Sequence, residues 1–312
     1  MGALVEFGKL AKPATVLIKK ISDATGVLYE PTRIRRKAKA EADASKTKAL
    51  IDLEIEDIQN RALNRLVNEE IKKQENIENI TEKAFSSLDE NATPENIEDD
   101  WISNFFDKCK LISDDEMQTV WSQILSGEAN QPGTFSKRTI EFMSTIDKSD
   151  AILFSDFCRF CWFVGGYKPL IIDYKNKIFE KYNINFSMLQ HLDELGLITF
   201  NHVSGFNITA NVDNMDIGYY GRILNLDFKN SKTVKTGFVN LTKIGKDIAK
   251  VSQPNIEKIA IVSEEYIDEY YHYIISELYK QNVIISEPLS NKIYNKFLEE
   301  EQVTPCKCLS LK

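Results

Sequence analysis

The longest stretch of the chain without proline or glycine runs from residue 32 to residue 93. Proline and glycine are the common interrupters of helices, so their absence over so long a stretch favours continuous helix. Pro31 stands directly before it, where proline suits a first helical turn. Forty helical residues would extend about 60 Å, which exceeds the width of a small domain. The sequence therefore predicts a long helical arm that forms a protruding hairpin or an oligomerising helix.

One face of the predicted arm is apolar. Apolar side chains recur at intervals of three and four residues, at Ile51, Ile55, Ile58, Ala62 and Leu66. This spacing is that of one side of an α-helix. A stripe of this kind buries itself against another element of the protein or against a second copy.

Charge is distributed very unevenly along the chain. Residues 1–48 hold 11 basic and 5 acidic side chains, residues 49–116 hold 7 and 19, and residues 117–312 hold 21 and 23. The net charge of −8 therefore conceals a basic segment followed by an acidic one. The basic residues at the start of the arm, which suit phosphates of nucleic acid or lipid, are Arg33, Arg35, Arg36 and Lys37. The alternative is that they pair with the protein's own acidic helices, within or between subunits.

The first 28 residues form an amphipathic pattern with lysines between the apolar positions. A basic amphipathic helix is typical of a membrane surface. The alternative is that its apolar side packs on the core of the protein or on another subunit. The apolar anchors predicted for a partner or surface are Leu4, Phe7, Ile18 and Ile21.

Residues 93–166 carry the start signals of a four-helix bundle. Pro94 suits a first turn, Ser113 and Glu116 have the spacing of a capping box, and Ser136 precedes another helix. The last helix of this bundle is predicted to run through residues 151–163. Residues 1–92 form the predicted N-terminal arm, and residues 302–312 a flexible tail.

Residues 167–301 are predicted to be a smaller α+β domain. The order of a helix at 186–195, short strands, and a helix that Thr242 caps is similar to a winged-helix module. For the chain as a whole, the long N-terminal helices and the helical bundle predict a mainly α fold. The predicted reading helix has no lysine or arginine, which argues against DNA. The residues that would contact nucleic acid are the three wing lysines, Lys229, Lys232 and Lys235.

Few features of the sequence indicate catalysis. Glycine is scarce, the three histidines lie far apart, and the common nucleotide, zinc and hydrolase motifs are missing. Cys158 and Cys161 have the spacing of a zinc half-site that Cys306 and Cys308 would complete. Buried free cysteines are more common in an apolar segment of this kind. We therefore expect no metal, no cofactor and no catalytic residues.

One long motif resembles a known family. It combines Asp-Asp-Trp-Ile-x-x-Phe-Phe from residue 99, Ser-Asp-Asp-Glu-Met-Gln-x-x-Trp-x-x-Ile-Leu-x-Gly-Glu from residue 113, and Pro-Gly-x-x-Ser-x-Arg-Thr from residue 132. This pattern is similar to a bacterial domain family of unknown function, so it implies membership without an activity. More distantly, the plan resembles the Abi-alpha abortive-infection proteins, which implies a role in phage defence. The motif residues, to which we assign structural roles, are Trp101, Phe105, Glu116, Gln118, Trp121, Glu128, Ser136 and Arg138.

Taken together, these patterns predict a non-enzymatic interaction protein, and the resemblances imply that it is bacterial and associated with phage defence. It would act by self-association, or by contact of its basic amphipathic N-terminus with a protein partner or an anionic surface. The alternatives are a winged-helix DNA-binding regulator and a membrane-acting toxin. We expect a cytoplasmic protein with at most peripheral contact to the inner membrane, since the apolar runs are too short to span a bilayer.

Charge reversal of the basic cluster tests this prediction. Replacing Arg33, Arg35, Arg36 and Lys37 by glutamate is expected to abolish binding to the partner, to anionic liposomes or to nucleic acid, because attraction becomes repulsion. The helical signal in circular dichroism should be unchanged. Unchanged binding by the reversed variant would refute the assignment.

Overall fold

The computed structural model describes residues 12–25, 57–220, 222–229, 232–252 and 264–286. The described residues divide into two compact units, one up to Ile146 and one from Asp147 onward. The division falls earlier than the boundary predicted at residue 166, and it places residues 57–92 in the same unit as the helices that follow them.

The first unit is helical. Its elements in the described part are α1 Lys12–Thr25, α2 Asp57–Phe85, a 3-10 turn Pro94–Asn96, α3 Asp99–Cys109, α4 Asp115–Asn130 and α5 Lys137–Met143.

The second unit combines helices and short strands. Its described helices are α6 Lys148–Cys158, α7 Lys177–Glu180, α8 Phe186–Glu194, α9 Lys243–Ala249 and α10 Glu264–Lys280. Its described strands are β1 Cys161–Phe163, β2 Tyr167–Pro169, β3 Ile198–Phe200, β4 Phe206–Thr209, β5 Asn214–Tyr219, β6 Arg222–Asp227, β7 Thr233–Gly237, β8 Val239–Leu241 and β9 Ile284–Ser286. The predominance of helix among the described residues confirms the mainly α prediction.

An aromatic core holds the first unit together. The ring of Phe105 on α3 stacks on Trp101, with centroids 5.2 Å apart, and meets Trp121 of α4 edge to face at the same distance. All three side chains are buried. The indole N–H of Trp101 donates to the carbonyl oxygen of Phe135 at 2.7 Å, which fastens the turn before α5 to α3. Buried aromatic pairs of this geometry stabilise a fold beyond the area they bury.

Helix starts follow the predicted signals with one shift. Ser136 caps α5 by accepting the N–H of Thr139, as predicted. The capping box predicted from Ser113 and Glu116 was wrong by one residue: Asp114 is the cap of α4, and its carboxylate accepts the N–H of Glu116 and of Met117. An ionised carboxylate is a stronger acceptor at a helix N-terminus than a hydroxyl, because it also interacts with the helix dipole.

The second unit is built on antiparallel sheets. A five-stranded sheet has the order β2-β1-β5-β6-β9, and two smaller ladders pair β3 with β8 and β4 with β7. The prediction of helix through residue 163 was wrong, because α6 ends at Cys158 and Cys161–Phe163 is strand β1. Trp162 stacks on the rings of both Tyr219 and Tyr271, so its large side chain is buried by the sheet and α10 rather than by a helical bundle.

A close backbone contact explains why glycine stands three residues after Thr242, at Gly245. Thr242 accepts the N–H of Gly245 at the start of α9, and its hydroxyl lies within hydrogen-bonding distance of the carbonyl oxygens of Gly196 and Leu197. A Cβ atom on Gly245 would lie only 1.9 Å from the oxygen of Leu197. Glycine is therefore required where α9 meets the segment before β3.

This contact predicts the sign of a glycine substitution. Alanine stabilises an unconstrained helix relative to glycine by about 1 kcal/mol. We expect Gly245→Ala instead to lower the free energy of unfolding by about 1–3 kcal/mol, because the backbone must move apart. Urea denaturation measures the change, with Lys246→Ala in the same helix as control. An unchanged or higher stability of Gly245→Ala would contradict the contact.

Candidate interaction surfaces

Helix α2 consists of two halves with different surroundings. In its C-terminal half Asn76, Ile80 and Ala84 are buried where α2 packs against α4. In its N-terminal half Ile58 and Leu66 are 65% and 55% exposed, whereas Val67 and Ile71 are half-buried. We call residues 57–72 the exposed arm. Apolar side chains exposed along one helix are typical of an interaction site.

The exposed stripe continues the buried face of the same helix. Eighteen residues of α-helix make about five full turns, so positions eighteen apart lie directly above one another, about 27 Å along the axis. Ile58 therefore lies above Asn76, and Ala62 lies above Ile80. Leu66 lies above Ala84 in the same way. The side that α2 uses to pack on α4 thus extends into the exposed arm as Ile58, Ala62 and Leu66.

The charged residues of the exposed arm form short blocks of alternating sign along its axis. Arg61 and Arg65 precede Glu69 and Glu70, and this sequence is flanked by Asp57 on one side and Lys72 on the other. Arg65 and Glu69 lie 3.7 Å apart, and both side chains are largely exposed. An exposed pair of this kind adds little stability to the helix.

Two of the four predicted N-terminal anchors lie in the core of the first unit. Ile18 and Ile21 are on the side of α1 that packs on α3 and the 3-10 turn, and they are 8% and 2% exposed. Lys20 reinforces the contact through an ion pair of 2.9 Å with Asp99. The two isoleucines of α1 therefore pack against other helices of the first unit. The other anchors and the basic cluster, which lie outside the described residues, are Leu4, Phe7, Arg33, Arg35, Arg36 and Lys37.

Two motif residues make buried polar contacts in the first unit. The Gln118 amide donates to Asn76 on α2 at 3.2 Å and to the carbonyl oxygen of Ile112 at 2.9 Å. The Glu128 carboxylate accepts the N–H of Gly133 at 2.6 Å and of Phe135 at 2.8 Å. These contacts fix the α2–α4 interface and the turn before α5. By contrast, Glu116 and Arg138 are exposed.

Two of the three wing lysines are neutralised by carboxylates. Lys229 pairs with Asp227 at 3.2 Å, and Lys232 pairs with Asp213. The ammonium of Lys235 lies 4.4 Å above the ring of Phe238. Phosphates bind to positive charges that have no partner within the protein. The wing therefore has less positive charge available to phosphates than the number of its lysines indicates.

The cysteine and histidine candidates have structural surroundings. Cys158 is buried, and burial raises the pKa of its thiol well above the usual value, which disfavours the reactive thiolate. His191 Nε2 lies 2.9 Å from Asp150 Oδ1, but no hydroxyl or thiol in the described part of the chain hydrogen-bonds to that ring. No cluster of three or more possible metal ligands occurs among the described residues. Cys306 and Cys308 lie outside them.

Sequence reasoning missed an aromatic surface on the second unit. Five rings form it: Tyr174, Phe186, Phe200, His202 and Phe238. Tyr174 contacts the rings of Phe200 and Phe238 with centroids 5.4 Å apart, and Phe186 contacts Phe200 at 5.4 Å and His202 at 5.5 Å. These residues span more than sixty positions of the sequence, so a local motif could not reveal them.

Comparison with known proteins places the chain in a family. Residues 60–269 match the family model described as Protein of unknown function (DUF2806). The match covers more than half of the chain, so the protein belongs to this family. No curated protein and no solved structure matches it. The match includes most of the exposed arm and the whole aromatic surface, and it begins after the predicted basic cluster.

Glu128 gives a pH test of the first unit. Burial raises the pKa of its carboxyl, although N–H donors from Gly133 and Phe135 oppose this. The folded protein therefore binds a proton at pH values where the unfolded chain has lost it. The ordinary pKa of glutamate is about 4.3. As the pH rises from this value through the higher pKa of the folded state, the contribution of the Glu128 carboxyl to the free energy of unfolding should decrease.

The measurement compares free energies of unfolding of the wild type and Glu128→Gln between weakly acidic and neutral pH. The stability of the wild type relative to the variant should fall as pH rises. The exposed Glu116→Gln serves as control and should show no such trend. A difference between wild type and Glu128→Gln that stays constant or grows with pH would contradict the assignment.

Proposed function

We propose that this protein is a non-enzymatic interaction protein that self-associates through the exposed arm of α2. The observation that carries the proposal is the continuity of one helix face. Asn76, Ile80 and Ala84 bury that face against α4, while Ile58 and Leu66 present it to solvent. Burying such side chains is worth about 25 cal/mol per Å² of apolar surface, so a partner that covers them gains free energy.

The partner that suits this face is a second copy of the same chain. In an antiparallel pair of arms, the end with Arg61 and Arg65 lies beside the partner's end with Glu69 and Glu70. A parallel pair would place like charges together. A two-fold dimer uses the same patch on both subunits, and the antiparallel arrangement brings opposite charges of that patch together. We therefore propose antiparallel arms.

The N-terminal segment supplies a second route of contact in this proposal. The basic residues before α2 would bind an anionic surface or partner, and self-association would multiply that contact. A role in phage defence rests on the likeness of plan to the Abi-alpha proteins and is an analogy. Among the described helices, none has the length and apolar character needed to cross a membrane.

We further propose that the second unit contains a winged-helix-like module. Helix α8 is followed by β3, which pairs with β8, and by the β4–β7 ladder, and Thr242 then caps α9. This order of elements supports the module. Helix α8 exposes Asp193 and Glu194 and has no lysine or arginine, so a role in reading duplex DNA is less well supported than contact with another partner.

Sedimentation velocity tests self-association of the full chain. We expect the wild type to form a dimer or larger oligomer that dissociates on dilution. The double variant Ile58→Asp and Leu66→Asp should weaken association about tenfold or more, because it places charges at the centre of an apolar contact.

The matched control introduces the same charges on the opposite side of the same arm. Asn64→Asp and Asn68→Asp should leave the oligomer unchanged, and circular dichroism should show equal helix content for both variants. A monomeric wild type would overturn the proposal. Equal association by the two double variants would also overturn it, because the interface would then lie elsewhere.

A further inference from the structure

The aromatic surface of the second unit lies at the start of α8. Phe186 is the first residue of that helix and is 43% exposed, and His202 beside it is also exposed. Neither ring is enclosed, so a flat ligand can approach both. Large exposed rings are costly to leave in water and are found preferentially where a partner binds.

Two lysines lie over the rings of this surface. The ammonium of Lys235 is 4.4 Å from the centroid of Phe238, and that of Lys175 is 5.8 Å from the centroid of Tyr174. Within the described ranges, neither lysine forms an ion pair with a carboxylate. This distinguishes them from Lys229, which pairs with Asp227. The aromatic surface therefore carries positive charge that its own surroundings do not neutralise.

Two aspartates that lie close to these rings in sequence are exposed, but each accepts a hydrogen bond from the main chain. Asp173 accepts the N–H of Lys175 at 3.0 Å, and Asp193 accepts the N–H of Phe200 at 3.0 Å. These hydrogen bonds hold each carboxylate at a turn of the main chain. The two ammonium groups beside exposed rings favour an anionic partner that also presents flat rings.

We propose that this surface binds single-stranded nucleic acid. Unpaired bases would stack on Phe186 and His202, and the ammonium groups of Lys175 and Lys235 would contact the phosphates. Stacking accepts any base, because every base has a flat face. A duplex keeps its bases stacked inside and requires cations along the reading helix, which α8 lacks. The surface therefore selects unpaired strands.

Fluorescence anisotropy with the full chain tests this proposal. The probe is a labelled oligothymidylate of about 20 nucleotides, longer than the about 4–16 nucleotides that such surfaces usually cover. The wild type should bind it more tightly than a duplex of equal length. Phe186→Ala should weaken binding about fivefold or more, because one stacking platform is lost.

The salt dependence identifies the phosphate contacts. Lys175→Gln and Lys235→Gln should each lower the slope of log Kd against log salt by about 0.7. The matched control Lys229→Gln, whose ammonium already pairs with Asp227, should leave the slope unchanged. Ile152→Ala is the apolar control, since Ile152 is exposed in the same unit but away from these rings in the sequence.

Three results would overturn the proposal. One is the absence of oligothymidylate binding at low salt, which would indicate a protein partner for the rings. Another is equal binding of single strand and duplex. A third is binding that Phe186→Ala leaves intact while the charge-reversed Arg33, Arg35, Arg36 and Lys37 variant loses it. In that case the basic N-terminal segment would be the site.

Discussion

The packing of the C-terminal half of α2 against α4 is the contact on which the rest of the first unit depends. A polar pair lies inside it, where Gln118 donates to Asn76, and Asn76 in turn donates to the carbonyl oxygen of Lys110 at 2.9 Å. Satisfied polar groups within an interface fix its register, because any sliding leaves them unpaired. With one half of α2 held in register, the stiffness of the helix sets the direction of the exposed arm.

The same contact shows that the exposed stripe continues a face of α2 that is used for packing. A helix that is apolar only where it is covered would need no partner. Helix α2 repeats its packing face after five turns, with Ile58 and Leu66 on the side that Asn76 and Ala84 bury below. In the proposed function, one continuous face of α2 has two roles. Its C-terminal half packs in the core of the first unit, and its N-terminal half forms an interface with a second copy.

Local signals in the sequence were sufficient for much of the helical part. The apolar spacing up to Leu66, the Ser136 cap and the Thr242 cap all act within a few residues. Among the described residues the structure confirms both caps and a long helix, which ends at Phe85. Sheet pairing was harder to predict, because β5 and β9 gain their partners from distant parts of the chain. Residues 161–163 illustrate the limit: a run of apolar side chains suits a buried helix or a buried strand equally well.

The interaction sites also differ in how far the sequence could predict them. A charge count identified Lys229, Lys232 and Lys235 as equivalent. However, Lys229 pairs with Asp227 two residues before it, and Lys232 pairs with Asp213, which only the fold brings near. The aromatic surface was not predicted, because its rings come from the segment before α7, the start of α8 and the ends of β3 and β8. By contrast, the apolar stripe of the arm follows from spacing alone. Its exposure could be established only once α4 was seen to cover half of the helix.

Amide hydrogen exchange of residues 57–72 over a range of protein concentrations tests the central claim most directly. Backbone amides in an unpartnered helical arm open locally and exchange fast, and an interface slows them. Self-association predicts protection that rises with concentration in step with oligomer formation, while protection of residues 76–84 stays constant. Protection of the arm that does not change with concentration would contradict the account, since the arm would then be free at all concentrations or covered by its own chain.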